Sequence, residues 1–197
     1  QMNLILASKS PRRYQILSRL GIPFKVVDSN LNESKFRIDD NASVYAEKLA
    51  FSKCKSVSEQ YPKSLVIGAD TIVVLKNKIL GKPKNESEAR KMLEELSGNT
   101  HTVITAVSFQ LHESNLIHTF NEKTKVKFFD IPNKYLDTYI SSGSPYDKAG
   151  AYGIQDYSSI FVDFIVGCYD NVVGFPLSKF VREIEKNNIK IDEISWR

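Results

Sequence analysis

The sequence has 197 residues, of which 42% are hydrophobic and 25% are charged, and its formal net charge is +4. This length and composition are typical of one soluble globular domain and exclude a disordered or fibrous chain. The mild positive charge is compatible with an anionic ligand but does not identify one. The two cysteines, Cys54 and Cys168, stand in no C-x-x-C or zinc-like pattern, which argues against a disulfide framework.

The first 28 residues predict strand, helix and strand. The apolar run at 3–7 predicts a buried strand, and it is too short for a signal sequence or a membrane span, so we expect a cytoplasmic protein with no membrane partner. Pro11 is a favoured first helical residue, and Gly21 is a typical helix stop. A second strand is predicted at 24–28, followed by a loop at 29–41 that contains Glu33.

Long periodic segments follow in the middle of the chain. Apolar spacing predicts a helix over 42–59, with Lys53 on its apolar face, and a nearly continuous β-branched run predicts a strand at 64–75 that is covered on both faces. A short hairpin leads to Gly81-Lys82-Pro83. Asn85 predicts the cap of a helix that ends at Gly98.

The last third alternates strands and helices less regularly. We expect a hairpin of strands at 101–111 and 116–129, a helix at 132–140, a strand or hairpin at 160–170 and a final helix that begins at Pro176. Hairpins interrupt the alternation of strand and helix, so the sequence predicts an α/β fold with a mixed twisted sheet and flanking helices.

Asp70 lies in the middle of a strand that is predicted to be buried. Burial of a carboxylate there would cost roughly several kcal/mol unless the group were paired, protonated or bound to metal. One interpretation is a structural aspartate bonded to the backbone at a bulge beside Gly68. The other is a general base or metal ligand.

The segment from Ser8 to Arg13 joins a strand to a helix N-terminus, where free backbone N–H groups favour a phosphate. Ser8 and Ser10 add hydroxyls, and Arg12 and Arg13 add guanidinium groups whose geometry matches phosphate oxygens. The alternative is a solvated basic helix start with Ser10 as its N-cap. The glycine patterns of a Walker loop or a Rossmann loop are absent from the sequence.

Four further residues have an ordinary and a functional interpretation. Lys53 either extends its ammonium to solvent or joins a cationic clamp, and Lys82 is either a turn residue or part of the same clamp. Glu33 is either solvated or a second carboxylate beside Asp70 for a hard cation. Gln155, after a glycine-containing stretch, is either a loop residue or a reader of a base edge. Elsewhere, the three histidines do not form a catalytic arrangement with Ser, Cys or Asp, so we expect them to be structural or surface residues.

In order along the chain, these segments resemble the Maf-like nucleoside triphosphate pyrophosphatase family. The resemblance covers about residues 4–184 and rests on LASKSPRR at 6–13, KLAFSK around Lys53, GADTIV at 68–73, GKP at 81–83, LSGNTHTVITAV at 96–107, DKAGAYGIQ at 147–155 and NVVGFPL at 171–177. It implies a single Maf-like domain over 1–197, related in fold to the inosine triphosphate pyrophosphatases, with two lobes around a cleft.

The resemblance also implies roles for individual residues. It gives Asp70 as the catalytic base. From the chemistry of the implied reaction we assign Mg²⁺ or Mn²⁺ as the cofactor, with Asp70 and Glu33 as its ligands, and whether Asp70 ligates the metal directly or activates water stays open. The resemblance gives substrate binding to the set Ser8, Ser10, Arg12, Arg13, Lys53, Thr71, Lys82 and Gln155.

The K-A-G-A-Y-G-I-Q form is similar to the branch of the family that hydrolyses dTTP and UTP, and Arg12, Thr71 and Gln155 match positions linked to that choice. The implied reaction releases a nucleoside monophosphate and pyrophosphate from canonical or modified pyrimidine triphosphates. A homodimer is also implied. The alternative is a regulator of cell division that binds a nucleotide or nucleic acid without essential catalysis, although the chain has no dense basic stripe for nucleic acid.

Overall fold

The computed structural model describes residues 2–37 and 41–194. The strands in these ranges are β1 (Asn3–Leu6), β2 (Lys25–Val26), β3 (Ser64–Leu75), β4 (Lys78–Leu80), β5 (Thr100–Leu111), β6 (Leu116–Phe128) and β7 (Val162–Val166). The helices in the same ranges are α1 (Pro11–Ser18), α2 (Ala42–Ser58), α3 (Glu86–Leu96), α4 (Asn133–Ser141), α5 (Tyr169–Val173) and α6 (Leu177–Lys186). Short 3₁₀ turns connect several of them.

The strands form one mixed sheet in the order β2-β1-β3-β5-β6-β7, with β4 paired to β3. β1 runs parallel to β2 and β3, whereas β4 and β7 run antiparallel to their neighbours. The predicted mixed sheet with flanking helices is therefore confirmed.

Two element predictions need correction. The strand predicted at 24–28 is only the two residues of β2, both exposed. The prediction of strand or hairpin as far as residue 170 is wrong after β7, because α5 is helical. Residues 38–40 of the loop predicted at 29–41 lie outside the described residues, and the rest of that loop contains a 3₁₀ turn at Glu33–Lys35.

The chain divides into two compact units, which we describe separately. Unit 1 comprises Gln1–Asp70, Thr105–Glu122 and Gly174–Arg197, and unit 2 comprises Thr71–Ile104 and Lys123–Val173. The apolar core of unit 2 joins strand residues such as Val73 and Phe128 to Leu93 of α3 and Tyr139 of α4. The single domain over 1–197 and the cleft between two lobes stay predictions.

In unit 1 the parallel pairing of β1 with β3 positions the candidate site. Leu6 pairs with Ile67, and the Ala7 amide donates to the Ile67 carbonyl at 2.7 Å. Because parallel strands bring their carboxyl ends to the same edge, the Ser8–Arg13 segment that follows β1 begins beside the part of β3 that leads to Asp70.

Candidate active site

Asp70 is buried on β3 and is paired with a lysine. Its Oδ1 lies 2.6 Å from the Lys53 Nζ, and the two side chains are 10% and 11% exposed. The interpretation of Lys53 as a residue that extends to solvent is therefore wrong. The carboxylate has a cation as its partner, so a bulge beside Gly68 is not needed to explain its burial.

Close packing of α2 on β3 brings this pair together. A Cβ added to Gly68 would lie 2.6 Å from both the Ala50 carbonyl oxygen and the Cys54 amide nitrogen. The backbone of α2 thus lies almost directly on the backbone of β3, and Gly68 permits that approach. Lys53, on the same face of α2 as Ala50 and Cys54, then reaches Asp70.

Glu33 contacts the same ammonium. Its Oε1 lies 2.8 Å from the Lys53 Nζ, and its side chain is 48% exposed. Glu33 begins a 3₁₀ turn whose N-cap, Asn32, accepts a hydrogen bond from the Ser34 amide. The structure therefore brings Glu33, Lys53 and Asp70 together, with one carboxylate buried and the other half exposed.

The environment of Asp70 favours a proton acceptor. Burial raises the pKa of Asp70 above its ordinary value, the charge of Glu33 adds to this rise, and the charges of Lys53 and Arg13 oppose it. A raised pKa makes a carboxylate a stronger base, while the neighbouring cations keep the ionised form accessible. The arrangement can accept a proton from a water molecule.

The Ser8–Arg13 segment is organised by its own hydroxyls. Ser10 is the N-cap of α1 and accepts from the Arg13 amide at 3.4 Å, while Ser8 Oγ accepts from the Ser10 amide at 3.3 Å. The predicted N-cap role of Ser10 is confirmed. Phosphate binding by Ser8, Ser10, Arg12 and Arg13 stays a prediction.

Arg13 is tied to distant parts of unit 1. Its Nε donates to the Gly174 carbonyl at 3.0 Å, and one terminal nitrogen donates to Ser8 Oγ at 3.2 Å. Desolvation lowers the pKa of Arg13, and the charge of Asp70 opposes that change. Arg13 thus supports the segment and adds positive charge near Asp70, whereas Arg12 is partly exposed on the first turn of α1.

The remaining predicted site residues belong to unit 2. Thr71 directly follows Asp70 along β3, and Lys82 and Gln155 are exposed. The Gly150 amide donates to the Gly81 carbonyl at 3.0 Å, so the turn that carries Lys82 is joined to the segment that leads to Gln155. The structure therefore places the residues predicted for phosphate and base on connected segments of this unit.

Two contributors to the unit 1 site were not predicted. Tyr45 precedes Lys53 by eight residues on α2, and its pKa is raised by burial and by the charges of Asp70 and Glu33. The helical spacing of 45, 49 and 53 is a signal that could have found it. The Gly174 carbonyl leaves no such signal, because a backbone acceptor can belong to any residue type.

Glu33 and Asp70 are the side chains of this site that could hold a divalent cation. Glu33 and Asp70 already converge on one cationic atom, and magnesium is commonly held by one or two carboxylates together with water and phosphate oxygens. No group of three or more His, Cys, Asp or Glu side chains within 2–37 and 41–194 could hold a metal by itself. These residues therefore fit a shared metal site and not a closed cage of protein ligands.

Three other sequence predictions concern the histidines, the cysteines and membrane spans. His101 is buried in unit 2 and shares a hydrogen bond of 2.7 Å with the Tyr152 hydroxyl, as expected for a structural residue. Cys54 and Cys168 are both free thiols, as expected. Across the described ranges, no helix is both long and apolar enough to span a membrane.

Comparison with known proteins identifies relatives over nearly the whole chain. A dTTP/UTP pyrophosphatase from a Geobacillus species is 47% identical over 183 residues, which cover 93% of this chain and 97% of the relative. A dTTP/UTP pyrophosphatase from Ruminiclostridium cellulolyticum is 39% identical over 189 residues, with 96% and 98% covered.

A solved structure shares the fold at low sequence identity. A HAM1 protein from Coxiella burnetii superposes with a TM-score of 0.50 and 14% identity, covering 94% of this chain and 100% of that one. The sequence model of the family described as Maf-like protein matches residues 3–187. With Asp70, Lys53 and the Ser8–Arg13 segment assembled in unit 1, and with these relatives, the chain belongs to the Maf-like family.

Proposed function

We propose that this chain hydrolyses dTTP and UTP, and modified pyrimidine triphosphates of similar shape, to a nucleoside monophosphate and pyrophosphate. The observation that carries the proposal is the buried Asp70–Lys53 pair with Glu33 on the same ammonium. Relatives named dTTP/UTP pyrophosphatase, 39–47% identical over nearly the full chain, support the choice of substrates.

Asp70 acts on the attacking water in this proposal. The water oxygen forms a bond to the α-phosphorus while its proton passes to the Asp70 carboxylate. The bond between the α-phosphorus and the bridging oxygen breaks, and that oxygen leaves with the electron pair as part of pyrophosphate. The raised pKa of Asp70 makes its carboxylate a stronger base toward the proton of the attacking water.

Cationic side chains stabilise the charge that develops on the phosphates. The Lys53 ammonium has three N–H donors, of which two are directed at Asp70 and Glu33, so one remains for a phosphate oxygen. Arg12 and Lys82 bind phosphate oxygens, and Ser8, Ser10 and Arg13 complete the binding segment. Preorganised donors of this kind stabilise a transition state without reorganisation.

Mg²⁺ or Mn²⁺ is part of the proposal, with Asp70 and Glu33 as its protein ligands. When bound, such a cation supplies positive charge to the phosphate oxygens. Thr71 and Gln155 are proposed to contact the nucleoside, and Gln155 offers both a donor and an acceptor to the base.

The test is a product analysis with a panel of triphosphates. Purified protein is incubated with UTP, dTTP, CTP, ATP, GTP and modified pyrimidine triphosphates, with Mg²⁺ or Mn²⁺, and pyrophosphate and orthophosphate are measured separately. We expect pyrophosphate release to be fastest with UTP and dTTP, lost with EDTA and restored by the metal. Release of orthophosphate, or nucleotide binding without turnover, would contradict the proposal.

The same experiment addresses the alternative function. A regulator that only binds nucleotides or nucleic acid would leave UTP intact, and no pyrophosphate would be released. A homodimer and a cytoplasmic location complete the proposal, and light scattering of the purified protein tests the dimer.

A further inference from the structure

Gln155 lies on a tight turn in unit 2. The Asp156 amide donates to the Gly153 carbonyl at 3.1 Å, which closes a turn with Gln155 in its third position. Gln155 is exposed at this turn. A glutamine amide has both a donor and an acceptor, so it distinguishes one base edge from another only if its direction is fixed. What holds the turn therefore matters for selectivity.

A buried serine hydrogen-bonds to the first and last residues of this turn. Ser158 is fully buried, and its Oγ accepts from the Gly153 amide at 3.0 Å and lies 2.8 Å from the Gly153 carbonyl oxygen. The Ser158 amide donates to Asp156 Oδ1 at 3.0 Å. These bonds join the residues on both sides of Gln155.

Lys148 adds a cation to the same cluster. Its side chain is 13% exposed, and its Nζ donates to the Ser144 carbonyl at 2.6 Å. The ammonium also lies 2.7 Å from Asp147 Oδ1 and 3.4 Å from Asp156 Oδ2. Its position between two carboxylates and a carbonyl orients the Lys148 side chain and ties the Asp156 side of the turn to the 3₁₀ turn Ser144–Asp147.

The Lys148 side chain also lies against the turn itself. A Cβ added to Gly153 would stand 2.8 Å from Lys148 Cε and 2.9 Å from Cδ. The methylene groups of Lys148 therefore pack directly on the Gly153 backbone. Contact with Gly153 at one end of the turn and with Asp156 at the other restricts the turn on both sides of Gln155.

We propose that Lys148 is a positioning residue for base selectivity, which holds the Gly153–Asp156 turn so that Gln155 presents its amide in one direction. The inference rests on the proposed function, because it assumes that Gln155 contacts the base. Lys148 itself makes no contact with substrate in this proposal.

The first measurement compares how variants bind UMP and CMP by calorimetry. We expect Lys148→Met to reduce the preference for UMP by about tenfold, the contribution of roughly one hydrogen bond. Lys148→Arg, which keeps the charge, is expected to restore most of the preference. Lys91→Met, at an exposed position of α3 in the same unit, is the matched control and should leave the preference unchanged.

A second variant keeps the inference testable if Lys148→Met does not fold. Asp156→Asn weakens the attraction to Lys148 while keeping the side-chain size, and it should shift the preference in the same direction. Thermal melting of every variant identifies any that does not fold.

A double-variant comparison separates positioning from a general structural effect. If Lys148 acts through Gln155, Lys148→Met should change the preference little when Gln155→Ala is already present. An equal change in both backgrounds would overturn the inference, as would an unchanged preference in Lys148→Met or no UMP preference in the parent protein. Failure to release pyrophosphate from UTP, with the UMP preference intact, would contradict the proposed function alone.

Discussion

Asp70 is a carboxylate whose burial is compensated by one close cation. A buried ion pair is weak evidence for stability, because desolvation of both charges offsets much of their attraction. The presence of the Asp70 carboxylate on β3 is therefore better explained by chemistry than by folding. Replacement of Asp70 therefore tests its proposed role as the general base.

We expect Asp70→Asn to reduce pyrophosphate release by about 10²- to 10⁴-fold, the usual contribution of a general base, while UTP binding remains. The amide keeps the shape of the side chain but cannot accept the proton of water. Steady-state turnover and calorimetric UTP binding on the same sample provide the measurement.

The control for that substitution is Asp163→Asn, at an exposed position of β7, which should leave turnover unchanged. Thermal melting of both variants distinguishes catalysis from structure. An Asp70→Asn protein that melts much earlier yet turns over normally would show that the aspartate is structural.

Lys82 offers a test in unit 2, because it is exposed in a polar turn. Lys82→Ala should lower turnover by about 10²- to 10³-fold, the effect of removing one preorganised donor, without changing the melting temperature. Lys84→Ala, two residues further on and also exposed, is the matched control. Equal activities of the two variants would make Lys82 an ordinary turn residue.

The contact between α2 and β3 is the packing feature on which the Asp70–Lys53 distance depends. At Gly68 the two nearest atoms belong to the α2 backbone, which cannot move aside as a flexible side chain would. A methyl group here must push the helix away from the strand. The stability of the fold and the geometry of the site are therefore coupled at this position.

We expect Gly68→Ala to lower the free energy of unfolding by about 1–3 kcal/mol, as overpacking commonly does, and to reduce turnover because Lys53 moves with α2. Denaturant unfolding and pyrophosphate release measure the two effects. Gly81→Ala is the stability control, since a Cβ there meets nothing within 4 Å. Unchanged unfolding in Gly68→Ala would show that α2 accommodates the methyl group.

Elements with long internal patterns could be predicted from the sequence, and elements defined by distant contacts could not. The apolar runs of β3 and the spacing of α2 gave both elements to within a residue or two. The short helix α5 has no local pattern of this kind. In unit 2, Asn171 on α5 donates to the Val103 carbonyl at 3.2 Å and to Thr124 Oγ1 at 2.9 Å, both far away in sequence.

In the candidate site, too, features with a local sequence pattern could be predicted and features set by distant contacts could not. Asp70 could be singled out because a carboxylate is anomalous in an apolar strand, and Ser10 because N-caps have a local signature. That Glu33 and Asp70 share one lysine depends on the path of the loop before α2, which no local pattern specifies. The bond from Arg13 to the Gly174 carbonyl spans 161 residues and involves a backbone atom.

The stability of the protein toward acid should depend on His101. Burial lowers the pKa of His101 to about 4, and within the described residues its Nδ1 has no hydrogen-bond partner, so the doubly protonated ring would leave one N–H without an acceptor. Because the pKa is depressed in the folded state, the contribution to stability is present above the unfolded pKa of about 6.5 and is lost as pH falls toward 4.

This loss amounts to about 3 kcal/mol between pH 7 and pH 4 for the histidine alone. We expect His101→Gln, which can keep a hydrogen bond to Tyr152 but does not titrate, to show a shallower fall in unfolding free energy over this range. Identical slopes for His101→Gln and the parent would contradict the assignment.

Unit 1 is assembled from three separate stretches of chain, and the last of them begins at Gly174. Every side chain proposed to contact substrate, from Ser8 to Gln155, is synthesised before that point. Domains that fold during translation generally do so once their own residues are available. A nascent chain that ends at Val173 therefore carries all of these side chains but lacks the carbonyl that holds Arg13, so the site is complete only after the stretch that begins at Gly174 has been synthesised.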